Sequence, residues 1–124
     1  MSKTALVIED NENNMELITF ILETHGYATL RAESGLLGVE KAKAELPDFI
    51  LLDIQLPDIP GTEVLRRIRE DEATARIPMI AVTSYAMAGD RERLLAAGCD
   101  GYIEKPIDPQ RVMGQIRQAI GERA

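Results

Sequence analysis

Short apolar runs that stop at polar residues, each followed by a longer stretch of helical periodicity, constrain this chain more than any other feature. Ala5–Ile8, Phe49–Leu52 and Met79–Val82 consist almost wholly of apolar residues rich in strand formers, the pattern of strands buried on both faces. Tyr27–Arg31 is less apolar, which suits an edge strand, and Tyr102–Ile103 gives a short fifth run. The intervening segments are amphipathic. Met15, Ile18, Ile21 and Leu22 share one helix face; Asn13 with Glu16 resembles a capping box at its start, and Gly26 suits its end. Ser34 can cap a second helix running to about Glu45 and closed by Pro47. Pro57 and Pro60-Gly61 mark a loop before a third helix carrying Val64, Leu65 and Ile68. A fourth spans about Arg91–Ala97 and stops at Gly98. The fifth enters through Asp108-Pro109, in the order expected of a cap followed by proline, and carries Val112, Ile116 and Ile120.

Strand–helix alternation of this kind calls for a parallel sheet with helices on both faces and right-handed crossovers. The expected fold is α/β: a flavodoxin-like (βα)5 doubly wound parallel sheet with strand order 2-1-3-4-5, chosen because it puts the weaker second strand at an edge; periodicity alone also permits another small doubly wound order. With 124 residues, the whole chain, 1–124, is expected to be one domain. Its formal charge of −7, from 14 basic and 21 acidic residues, argues against a nucleic-acid interface, which needs a basic face. Cys99 is the single cysteine, so no intramolecular disulfide can form. The start lacks the pattern of a secretory signal, and no apolar run approaches the roughly 18 residues of a membrane span. A cytoplasmic protein, with no membrane partner, is the expectation.

In open α/β sheets ligands bind beyond the carboxyl ends of the strands, where strand order reverses. Here the strands end in Glu9 and Asp10, in Asp53, in Thr83 and in Lys105. The fold would bring these together. Three carboxylates in one pocket repel one another unless protons or a cation neutralise them. Mg²⁺ suits such a set, since it prefers one or two carboxylates, waters and phosphate oxygens. Lys105 adds a compact positive charge and Thr83 a hydroxyl donor. Asp53, closing the most apolar strand, is the best candidate for a carboxylate nucleophile that forms an acyl phosphate.

Val-Ile-Glu-Asp-Asn at 7–11, Leu-Leu-Asp-Ile-Gln-Leu-Pro at 51–57, Ala-Val-Thr-Ser at 81–84 and Gly-Tyr-Ile-Glu-Lys-Pro at 101–106 resemble the signature segments of response-regulator receiver domains, in order and at the family's spacing. The resemblance implies that Asp53 is the phosphoacceptor and that Asp10 and Asp53 bind Mg²⁺. The backbone carbonyl of Gln55 would help, and Glu9 would act mainly through water. It further implies that Thr83 closes on the phosphoryl group, that Lys105 pairs with it, and that Tyr102 turns inward as Thr83 moves. The Lys105-Pro106 bond would be cis. The donor would be a sensor histidine kinase or a histidine phosphotransfer protein, and output would pass through the face of the fourth helix, fifth strand and fifth helix. The expectation is a receiver without an attached effector domain, whose output is a protein contact or onward phosphotransfer by a monomer or weak dimer. Such a protein is no enzyme beyond catalysing its own phosphorylation and dephosphorylation.

Two departures stand out: Glu9 replaces the commoner aspartate, and Ile59-Pro60-Gly61 lacks the usual polar residue before glycine, which predicts a stiffer loop. Two other readings compete. A phosphatase of the haloacid dehalogenase type would need a second aspartate where Gln55 stands, and a pseudo-receiver would have lost site residues that are all present. Elsewhere, His25 reads as a helix-end residue, Cys99 as packed, and Met15, Met79 and Met113 as core. Met87 is a candidate for a partner surface, and Arg66, Arg67 and Arg69 for a solvated helix face.

Overall fold

The computed structural model of the protein describes residues 3–84 and 89–121; Met87 lies outside them. Strands β1 (Thr4–Ile8), β2 (Ala28–Ala32), β3 (Phe49–Asp53), β4 (Met79–Thr83) and β5 (Gly101–Glu104) alternate with helices α1 (Glu12–Thr24), α2 (Gly35–Glu45), α3 (Gly61–Glu70), α4 (Asp90–Ala96) and α5 (Val112–Ile120). The strands form one sheet in the order β2-β1-β3-β4-β5, and every pairing is parallel. This is the flavodoxin-like (βα)5 arrangement expected, with the less apolar β2 at an edge; it is one of the doubly wound orders that periodicity alone allowed.

Side chains alternate between the two faces of each strand, and both faces are covered. On one face Ala5, Val7, Phe49, Leu51, Ile80 and Val82 pack with Met15, Ile18, Val112 and Ile116 of α1 and α5. On the other, Leu6, Ile8, Ile50, Leu52 and Ala81 pack with Val39, Val64, Ile68 and Leu94 of α2, α3 and α4. β3 sits centrally and is buried throughout, so each of its leucines contributes about 1.5–3 kcal/mol of hydrophobic stabilisation. Cys99 and the three methionines assigned to the core are buried. Burial raises the Cys99 thiol to about 11, which keeps it protonated and unreactive.

Three boundaries differ from the sequence reading. β2 begins at Ala28, because Tyr27 belongs to the end of α1: its N–H bonds Leu22 O at 3.0 Å and its ring meets Phe49 edge-on at 5.4 Å. Asn11, not Asn13, caps α1, since the chain leaving β1 is still extended there and the Asn11 side chain accepts the Asn14 N–H at 3.0 Å. Asp108 does organise a turn, accepting the Gln110 N–H at 2.9 Å, but the regular helix starts later, at Val112. The basic cluster on α3 also divides. Arg66 and Arg67 pair with Glu63 on the exposed side. Arg69 instead turns inward, donating to the carbonyls of Gly98, Ala75 and Ile77 and to Asp100. It ties α3 to the loops before β4 and β5 rather than facing solvent.

Two glycines give opposite expectations. A Cβ at Gly61 would lie 2.6 Å from Ile54 Cα and 3.1 Å from Asp53 O, so Gly61→Ala must displace backbone and should cost about 1–3 kcal/mol. Gly114 is exposed within α5 and an added Cβ there meets nothing within 4 Å, so Gly114→Ala should stabilise by about 0.5–1 kcal/mol. Urea unfolding midpoints of the two variants at unchanged slope check both signs.

Candidate functional site

The parallel sheet carries the chemistry-bearing residues to one edge. β1 ends at Ile8, with Glu9 and Asp10 next; β3 ends at Asp53 and β4 at Thr83; Lys105 follows β5. Alternation sorts them further. Glu9, Asp53 and Lys105 have the strand parity of Val7, Leu51 and Ile103, which face α1 and α5. Thr83 shares that of Ala81 on the opposite face, where Tyr102 also packs.

Glu9 and Asp53 are only 2 % and 3 % exposed. Lys105 Nζ lies 3.0 Å from Glu9 Oε1 and 3.2 Å from Asp53 Oδ2, so one ammonium neutralises part of two buried negative charges. The other Asp53 oxygen, Oδ1, accepts the Gln55 N–H at 2.9 Å, and Glu9 Oε2 accepts the Asn11 N–H at 3.1 Å. Glu9 Oε1 is buried and, despite the nearby ammonium, has no aligned hydrogen bond. Burial pushes Glu9 up to about 7, with the Asp53 carboxylate adding to the effect, against the Asn11 N–H and Lys105. Burial works against the charge of Lys105, but the two carboxylates outweigh it and hold the ammonium above its ordinary value.

Oxygens of Glu9, Asp10 and Asp53 all lie within 4.8 Å of one another. Three carboxylates so close, one presenting a buried oxygen without a hydrogen bond, form the donor set that a hard divalent cation satisfies. Asp10 is exposed at the mouth of this cluster. Gln55 is exposed as well, and its side-chain Oε1 accepts the Ser84 hydroxyl at 3.2 Å. Thr83, buried at 3 % exposure, lines a cavity of about 430 Å³ with Ile54, Gln55, Thr62 and Leu94. Its carbonyl accepts the Lys105 N–H at 2.8 Å, so the backbones of these two residues are tied. Tyr102 is half-buried on β5 and, among the described residues, is not part of that cavity's wall. The Lys105-Pro106 bond is cis.

Two features at the site were not read from the sequence. The Glu9–Lys105 ion pair is one; the strand parity of both residues was the signal that could have revealed it. The other is Asp58, whose carboxylate accepts the N–H groups of Gly35 and Leu36 at 2.8 Å each, joining the loop after Asp53 to the start of α2. These hydrogen bonds hold Asp58 below the usual carboxylate range. A contact across 23 residues leaves no local signature.

A family model of the response regulator receiver domain matches residues 5–117. The polar-differentiation response regulator DivK of Brucella ovis is 44 % identical over 122 residues, covering 98 % of this chain and 99 % of that protein. DivK of Brucella anthropi is 43 % identical over the same span. Among solved structures, the receiver domain of the sensor histidine kinase PA1611 of Pseudomonas aeruginosa PAO1 carries a magnesium ion coordinated in its active site cleft. It superposes with a TM-score of 0.88 at 34 % identity, with 98 % of this chain and 100 % of that one covered. A CheY-like receiver domain protein of Methanospirillum hungatei JF-1 superposes with a TM-score of 0.87 at 31 % identity, covering 98 % and 95 %. Fold, strand-end residues and near-complete coverage agree: the chain belongs to the response regulator receiver domain family.

Proposed function

We propose that the chain, as one receiver domain over residues 1–124, is a cytoplasmic phosphorylation switch. It takes a phosphoryl group onto Asp53 from the phosphohistidine of a sensor histidine kinase or histidine phosphotransfer protein. The observation that carries this reading is the environment of Asp53. It is a buried carboxylate at a strand end, with Oδ1 held by the Gln55 N–H, Oδ2 beside Lys105, and two further carboxylates within reach of a shared cation. In the transfer, an Asp53 oxygen forms a bond to phosphorus while the phosphorus–nitrogen bond of the donor breaks, its electron pair remaining on the imidazole. Lys105 pairs with a phosphoryl oxygen, and the Thr83 hydroxyl donates to another.

Mg²⁺ would be held by Asp10 and Asp53 with the Gln55 carbonyl, and with Glu9 acting through water. It would offset the charge that the carboxylates and the phosphoryl oxygens bring together. Phosphorylation favours the active arrangement only through contacts made differently in the two states. Thr83, facing the cavity beside α4, is the residue through which this difference arises, and Tyr102 on β5 follows it inward. The altered surface is the face of α4, β5 and α5, where a downstream protein binds. The domain acts as a monomer or weak dimer and catalyses only its own phosphorylation and dephosphorylation.

With Mg²⁺ and acetyl phosphate, intact mass should show one added phosphoryl group on wild type and none on Asp53→Asn. An equal adduct on the variant would place the acceptor elsewhere. Glu9 gives a pH signature. Its folded value of about 7 exceeds the ordinary 4.5, so folding favours the protonated form. That contribution is complete below about 4.5 and is lost as pH rises through about 7. Without Mg²⁺, the melting temperature of wild type should therefore fall relative to Glu9→Gln across this window. A constant difference between the two proteins would refute the raised value.

A further inference from the structure

The segment between Asp53 and α3 is expected to supply a metal ligand through the Gln55 carbonyl, and it already places the Gln55 N–H on the acceptor carboxylate. Its sheet ladder stops early, at the bond from Ile54 N–H to Val82 O. At the far end, Pro60 stands at the N-terminus of α3 without a side-chain cap. The segment is nevertheless fixed at three points. Gly61 N–H donates to Ile54 O at 2.9 Å, closing the loop on itself. Ile59 seats against Gly35, where a Cβ would come within 2.6 Å of Ile59 Cγ1. Asp58 grips the N–H groups of Gly35 and Leu36 with one carboxylate oxygen each.

The anchor for this grip is firm. α2 lies so close to the sheet that a Cβ on Gly38 would fall 2.4 Å from Ile8 Cδ1. The helix also has a cap of its own, since Ser34 Oγ accepts the Leu37 N–H. A second cap arriving from a distant loop therefore does more for the loop than for the helix. The negative charge is favoured at the positive end of the helix dipole, and two bonds from one carboxylate fix its orientation as well as its position.

We propose that Asp58 is a positioning residue for the phosphoacceptor site: by gripping the first turn of α2, it sets the conformation in which Gln55 meets Asp53 and the bound cation. The inference rests on the phosphoacceptor reading above. It assigns Asp58 no contact with the transferring group.

The test measures acetyl-phosphate-driven phosphorylation of the full chain as a function of Mg²⁺ concentration, by intact mass, for wild type, Asp58→Ala, Asp58→Asn and Ser34→Ala. Ser34→Ala removes the local cap of the same helix start and keeps both groups that Asp58 holds, the N–H of Gly35 and of Leu36. Asp58→Ala should raise the Mg²⁺ concentration for half-maximal rate about tenfold, the low end of what loss of a supporting contact costs a metal site, with a smaller change in the rate at saturating Mg²⁺. Asp58→Asn, which keeps one acceptor oxygen, should fall between. Ser34→Ala should match wild type in Mg²⁺ dependence while unfolding at lower urea. Wild-type Mg²⁺ dependence in both Asp58 variants, or an equal shift in Ser34→Ala, would overturn the proposal. Should Asp58→Ala fail to fold, the near-isosteric Asp58→Asn decides the matter alone. Absence of any adduct on wild type would instead count against the phosphoacceptor reading itself.

Discussion

Lys105 stands between two buried carboxylates. Glu9 and Asp53 lie at the ends of different strands and are almost wholly removed from water, and a buried charge is costly unless it is paired. The ammonium 3.0 Å from one and 3.2 Å from the other offsets part of that cost. The offset is incomplete, as the raised Glu9 value shows. A site with one cation for two buried anions, and a third carboxylate at its mouth, retains negative charge that further positive charge can neutralise. This residual charge is the physical basis for proposing a divalent cation here, and for proposing that Lys105 turns to the phosphoryl group when one arrives.

Topology supplies the convergence. Because all the strands run parallel and the order reverses next to β1 and β3, residues separated by as much as the distance from Glu9 to Lys105 in sequence meet at one sheet edge. Alternation along the strands then divides the site into two halves. Glu9, Asp53 and Lys105 take the parity of the α1/α5 face, whereas Thr83 and Tyr102 take that of the α4 side. Under the proposed function, chemistry on one side is read out on the other. The backbone bond from Lys105 N–H to Thr83 O ties the two halves where they meet.

Much of this was legible in the residues. The buried strands β1, β3 and β4 announce themselves as apolar runs because both faces are covered, and the polar residues at which those runs stop are conspicuous for the same reason. The signals fade where tertiary contact decides. Tyr27 looks like a strand residue by type but is claimed by the end of α1 and the Phe49 ring. Among Asn11, Asn13 and Asn14, only the backbone leaving β1 determines which one caps the helix. Arg69 resembles its solvated neighbours Arg66 and Arg67 but is drawn inward by carbonyls at the ends of loops far away in sequence. Asp58 follows a proline in a loop, the ordinary setting for a solvated carboxylate, and its grip on α2 depends on the packing of two helices that no local pattern encodes.

The most direct test of the central claim, that this strand-end cluster is built to receive a phosphoryl group beside a divalent cation, is fluorine NMR of beryllofluoride binding with and without Mg²⁺. The account predicts a bound resonance that saturates at one equivalent, requires Mg²⁺ and disappears in Asp53→Asn. No bound resonance in the presence of Mg²⁺, or one that persists unchanged in Asp53→Asn, would contradict it.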